Sequence, residues 1–185
     1  TGPAYEAWMT TFLRERYERT PPDVIVALGD ALPFTVRNRD KFAPTTPVVF
    51  VAISPETHAT VRPPSDMTGT LFDTAQHLSN TLTLAEGLQP STQRLFVIAG
   101  SSSLDRRWQA TARRVIEGRK RKFETTWLFD LSYDRIVEEL SRVPRDSIVL
   151  LLTVFEDATG KSFIPVEVAE TLLKLSPAPA YAATI

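Results

Sequence analysis

The 185-residue sequence contains no cysteine, two histidines and seven glycines. Without cysteine there is no disulfide framework, no thiolate nucleophile and no Cys-ligated metal, and the redox compartment stays open. The histidines, His58 and His77, fall in a proline-rich segment and in the body of a helical pattern. Neither stands at a strand end, where a Ser–His triad or a His-based metal site would need it. Neither sign of charge dominates: 21 basic against 22 acidic residues leave a net charge of −1, so no global field draws the chain to nucleic acid or an anionic membrane. No apolar run approaches the ~20 residues that cross a bilayer, and no signal-peptide pattern opens the chain. The expectation is a chain with no cofactor, no metal, no nucleic-acid partner and no membrane insertion of its own.

What is present is an ordinary globular composition, 43% hydrophobic and 23% charged, enough for one large or two small domains. Tyr5, Trp8, Met9, Phe12, Leu13 and Tyr17 recur at spacings of three and four, one face of an amphipathic helix that Pro21 and Pro22 stop. Val24–Leu28 and Pro47–Ile53 are short unbroken apolar runs, the pattern of strands buried on both faces of a parallel sheet. Between them, Pro33 suits the first turn of a helix reaching Phe42. Residues 54–66 hold three prolines and little periodicity and read as a loop or crossing. Thr70–Phe72 reads as a short strand, and 74–87 as a helix with Ala75, Leu78, Leu82 and Ala85 inward. Strands then alternate with helices: Arg94–Ala99, a helix with Leu104, Trp108, Ala112 and Val115 inward, Thr125–Phe129, a helix with Ile136, Val137 and Leu140 inward, and Ser147–Val154. A helix over 166–175, opened by Pro165, and a strand over 180–184 end the series. The alternation predicts the α/β class: Rossmann-like parallel sheets with helices on both faces.

In such sheets ligands bind beyond the carboxyl ends of the strands. The turns expected there are Gly29-Asp30-Ala31, Ala52-Ile53-Ser54, Gly100 to Ser103, Phe129-Asp130-Leu131 and Thr153 to Asp157. Small and hydroxylated residues let a ligand reach backbone N–H groups, and helix N termini favour anionic or strongly polar ligand atoms. Asp30, Ser103 and Asp130 each precede a helix and equally suit helix capping.

Several stretches together carry a family resemblance. Tyr5, Phe12-Leu13-Arg14 and Tyr17 are followed by Pro22 to Ala27, Gly29-Asp30-Ala31, Phe42 and Pro47 to Phe50. Met67 to Thr70, Leu82, Leu88 to Leu95 and Val97 to Ser103 continue the pattern. This progression resembles the substrate-binding proteins of ABC transporters with a type I periplasmic-binding fold, a family whose domains also serve as extracytoplasmic sensors of histidine kinases. The resemblance implies the end of lobe one over residues 1–66 and lobe two, the ligand-binding lobe, over 67–185, in a chain truncated at both ends. It implies closure of two lobes on a small polar or aromatic ligand. Asp30 and Ser54 would contribute from the first lobe, and Ser101, Ser102, Arg106, Asp130, Thr153, Phe155 and Asp157 from the second. Trp108 is a further aromatic candidate, although its helix face suits the core. The incomplete first lobe suggests pairing with a second copy. The location implied is a periplasmic or extracytoplasmic domain of an inner-membrane protein, or a secreted binding protein.

Catalytic lookalikes fail on spacing. Ala158 to Ser162 resembles the end of a P-loop, but Phe155 stands where the first glycine belongs. Gly100 to Ser103 is not a nucleophile elbow, because residue 104 is Leu. The best enzyme-class alternative is a receiver-like or phosphotransfer domain using Asp30, Asp130 and Asp157. That alternative lacks paired acids after Leu28 and a lysine after its last strand. The basic cluster from Arg113 to Lys122 complements a helix C terminus and has no interleaved aromatic platform.

Overall fold

The computed structural model describes residues 2–183 and divides into two compact units that meet between Asp73 and Thr74. The first contains α1 (Pro3–Tyr17), β1 (Ile25–Leu28), α2 (Ala31–Phe42), β2 (Val48–Ile53), α3 (Pro55–Val61) and β3 (Met67–Leu71). Its strands lie in the order β1-β2-β3 and are all parallel. Ala27, Val48, Phe50, Ile53 and Met67 pack with Leu32 and Val36 of α2 and Val61 of α3. Phe50 stands opposite Gly69 across the β2–β3 pair. A Cβ at Gly69 would lie 1.9 Å from the Phe50 carbonyl oxygen, so this strand spacing requires glycine.

Two expectations for this unit are corrected. The first strand is not buried on both faces: Val26 and Leu28 are 61% and 64% exposed. β1 is an edge strand, and the core formed with α2 and α3 takes the side chains of the opposite face. The expected stripe of α1 is present, and its members Tyr5, Trp8 and Phe12 lie at the surface. The helix buries no residue, and these three rings pack on one another at centroid distances of 5.7 and 5.8 Å. Residues 54–66 are not all loop. Ser54 at the N-cap accepts from the Thr57 N–H, and Pro55 opens α3, a start signal that outweighs the prolines. Met67–Leu71 forms the third strand of this unit's sheet.

The second unit contains α4 (Thr74–Leu88), β4 (Arg94–Ile98), α5 (Ser103–Gly118), β5 (Glu124–Leu128), α6 (Tyr133–Ser141), β6 (Ser147–Leu151), α7 (Pro165–Leu175) and β7 (Ala180–Ala182). Residue 184 of the expected last strand lies outside the described residues. The strand order is β5-β4-β6-β7, again all parallel. Alternation along the strands separates two cores. Leu95, Val97, Ile148 and Leu150 meet Leu78, Leu82, Ala112 and Ile116 of α4 and α5. Ile98, Val149 and Leu151 meet Ile136, Leu140, Val168 and Leu172 of α6 and α7. β6 is therefore buried along its whole length, and the expected α/β architecture, a parallel sheet with helices on both faces, is realised here.

The basic cluster is bound up in this packing. Arg119 pairs with Glu86 at 2.8 Å and donates to Ser79, which ties α5 to α4. Arg113 lies 4.5 Å over the Trp127 ring, and Arg121 donates to the carbonyls of Pro90 and Thr92.

Two glycines give opposite expectations. Gly69→Ala should destabilise the chain by about 1–3 kcal/mol, the usual cost of overpacking. Gly87→Ala, with nothing within 4 Å of its Cβ position in α4, should gain about 0.5–1 kcal/mol through helix propensity. Urea denaturation of both variants checks the pair.

Candidate functional site

Because β4, β5 and β6 are parallel and in register, with Ile98 beside both Leu128 and Leu151, the chain leaves all three at one edge. The turn after β4 is fastened to the segment after β6: the Gly100 N–H donates to the Thr153 carbonyl at 2.8 Å and the Ser101 N–H to the Glu156 carbonyl at 2.6 Å. A Cβ on Gly100 would sit 2.5 Å from the Glu156 carbonyl oxygen and 2.6 Å from Asp105 Oδ2. The backbones can approach this closely only at glycine.

Asp105 is the centre of the arrangement. It is fully buried and stands at the third position of α5, where it forms a reciprocal capping box with Ser102. The same carboxylate accepts from the Thr153 hydroxyl at 2.7 Å and from the N–H groups of Phe155 and Glu156. One side chain thus joins the start of α5 to the end of β6. Gln109, one turn further along α5, donates to the Gly100 carbonyl at 2.7 Å.

Asp157 does the same for α6. Its Oδ2 accepts from the Tyr133 N–H at 2.9 Å, and its Oδ1 from the Thr159 hydroxyl and the N–H groups of Thr159 and Lys161. Burial pushes the carboxyl up, but the Thr159 hydroxyl and the three backbone donors outweigh it and hold the group at about 2. The 157–161 stretch is closed on itself, with Gly160 at φ +84° and the Asp157 N–H donating to the Lys161 carbonyl. The N–H groups of Thr159 and Lys161 that a phosphate cradle would need serve this carboxylate.

The sequence-predicted residues divide accordingly. Ser101, Ser102, Arg106, Asp130, Thr153, Phe155 and Asp157 all belong to the turns or helix start at the carboxyl edge of the second sheet. Ser102, Thr153 and Asp157 are spent on internal hydrogen bonds. The Ser101 hydroxyl oxygen is buried without a partner. The groups left toward solvent are Phe155, 37% exposed, and the Asp130 carboxylate, 3.7 Å from the Arg106 guanidinium. Arg106 also donates to the Ser101 carbonyl. Asp130 does not cap α6 and Ser103 does not cap α5, because Ser132 and Ser102 hold those positions; Asp130 instead adopts φ +52°. Trp108 is partly buried against the core, and Leu104, expected inward, is 42% exposed because Asp105 takes the inward direction.

In the first unit, Asp30 is the exposed N-cap residue of α2, after β1. Ser54 follows β2 and is engaged with both the N–H and the hydroxyl of Thr57. Asp105, Gln109 and Glu156 were not among the expected residues. The signal for Asp105 was legible: Ser102 followed three positions later by an acid is a capping box.

Neither a protein-family model nor a curated protein matches the sequence. Two solved structures share its fold. One is the ligand-free, open structure of a substrate binding protein with adhesive properties from Clostridium difficile, with TM-score 0.56 and 13% identity, over 97% of this chain and 58% of that one. The other is an extracellular ligand-binding receptor from Verminephrobacter eiseniae, with TM-score 0.53 and 13% identity, over 94% of this chain and 49% of that one. The chain therefore spans roughly half the length of these proteins, and at such identities the likeness is one of fold.

The lowered Asp157 fixes a pH dependence. A carboxyl held at about 2 in the folded chain, against 3.8 ordinarily, adds stability that is fully present above about pH 4. That stability is lost as pH falls toward 2. Its size is about 1–2 kcal/mol after allowance for solvent screening. Acid titration of unfolding free energy should show this decline in the native sequence and a smaller one in Asp157→Asn, which is less stable at neutral pH.

Proposed function

We propose that this chain is the small-molecule-binding part of an extracytoplasmic receptor and performs no catalysis of its own. The observation that carries the reading is the carboxyl edge of the second sheet. Three turns are locked together there by Asp105 and Asp157, leaving Phe155, Asp130 and Arg106 as the side chains directed to a solute. A rigid scaffold that presents an aromatic ring and a few polar groups beyond parallel strand ends suits recognition. The shared fold with a substrate binding protein and a ligand-binding receptor supports the same reading.

In finer terms, residues 1–66 are the end of one lobe and 67–185 the ligand-binding lobe. The protein serves as the input domain of a membrane histidine kinase, on the periplasmic side. The solute-binding component of an ABC transporter is the second reading, and the sequence resemblance favours both alike. Among the described residues no helix is long and apolar enough to cross a membrane. The open apolar row of Val26 and Leu28 on β1 is a surface that a second copy would cover. The phosphotransfer alternative is weakened by Asp157, whose oxygens are both engaged by donors of its own chain.

A thermal-shift screen with amino acids, nucleobases, aromatic acids and sugars tests the reading. A ligand at about a hundred times its Kd should stabilise the chain by about 2.7 kcal/mol. Phe155→Ala and Asp130→Ala should each weaken that response without loss of fold. A panel without any shift, or a shift indifferent to both substitutions, contradicts it.

A further inference from the structure

On the face of the second sheet covered by α6 and α7, a groove of about 470 Å³ lies along the first turns of these helices. Its volume is within the ~300–1,000 Å³ of small-molecule sites. The walls mix apolar groups with the hydroxyl residues Ser162 and Thr171: Val168 is buried, the Tyr133 and Phe163 rings are 5.0 Å apart, and Ile164 is 57% exposed. Among the described residues, Glu167 is the only charged one lining it. Thr171 is occupied, its hydroxyl donating to the Glu167 carbonyl oxygen at 2.9 Å. The Glu167 carboxylate makes no hydrogen bond or ion pair among the described residues. Its place in the first turn of α7 lets it complement the helix dipole. That role does not require two aromatic rings and an exposed isoleucine beside it.

One wall already carries a cation: the Lys161 ammonium lies 5.1 Å over the Phe163 ring, although Lys161 does not line the groove. We propose that this groove is a second binding site, one for an organic cation. A primary ammonium would sit at Glu167, and its apolar body would lie on Tyr133, Phe163 and Ile164. Charge selects the sign, since an anion would meet a carboxylate and no lining cation. The rings add cation–π attraction and the apolar groups of the walls select a hydrophobic carrier. Phe155, Asp130 and Arg106 do not line this groove, although the Phe163 N–H donates to the Phe155 carbonyl at 2.8 Å.

The test is an amide-resolved NMR titration of the full chain with three probes of one shape: 2-phenylethylammonium, 2-phenylethanol and 3-phenylpropanoate. The ammonium should shift the amides of Ile164, Glu167 and Thr171 and bind about threefold to fivefold tighter than the alcohol, the scale of one exposed charge contact. The anion should bind more weakly than either. Glu167→Gln should abolish the preference for the ammonium while leaving the alcohol's affinity unchanged. Lys161→Gln, which removes a like charge and uncovers a ring face, should tighten ammonium binding about twofold. Equal affinities, a preference for the anion, shifts confined to other residues, or a preference that survives Glu167→Gln overturns the proposal.

Discussion

The second unit depends on a carboxylate that water does not reach. Asp105 is completely buried, a position that is costly for a charged group unless donors replace its hydration. Four groups do so: the N–H of Ser102, the hydroxyl of Thr153 and the N–H groups of Phe155 and Glu156. The Thr153 hydroxyl, buried with it, would itself be a liability without the acid. The acid and this hydroxyl are therefore mutually required, and the turn after β4 cannot move independently of the segment after β6. Gly100 completes the device by letting the two backbones touch.

This wiring changes the electrostatics of the edge. Helix N termini attract anions, and the sequence alone led to an expectation of anionic or strongly polar ligand atoms there. Asp105 already stands in the first turn of α5, and Asp157 accepts the first N–H of α6. Both helix starts thus carry counter-charge from within the chain. What remains open at this edge, and in the proposed reading faces a solute, is a half-open aromatic ring and a loose Asp130–Arg106 pair. That set suits a ligand with an apolar face and mixed polar groups better than a phosphate.

Alternation of strand and helix was readable because parallel sheets demand continuous apolar runs and crossover helices, and Ile148 to Leu151 met that demand without ambiguity. β1 misled for a related reason. Its run is as apolar as that of β6, but periodicity carries no information about whether a sheet edge or face has a covering neighbour. α1 shows the same limit: a helical stripe of Tyr5, Trp8 and Phe12 specifies that its members share a face, and not that the face is buried. Residue type at strand ends located turns that the second sheet gathers at one edge, yet it could not separate residues that hold the turns from residues left open. Ser102, Thr153 and Asp157 looked like ligand groups and are internal partners. Asp105, which binds Ser102 and Thr153, lay in a helix whose expected inward residue was Leu104, and only its capping-box spacing marked it.

The central claim is that the carboxyl edge of the second sheet, the proposed recognition edge, is a rigid part of the core of its unit. Native-state amide hydrogen exchange tests it directly, because amides on a buried acceptor exchange only when the structure around that acceptor opens. The account predicts that Ser102, Phe155 and Glu156, although in turns, exchange as slowly as the buried strand β6, through global unfolding of the unit. Exchange of these three amides at the rates of ordinary exposed loops would contradict it.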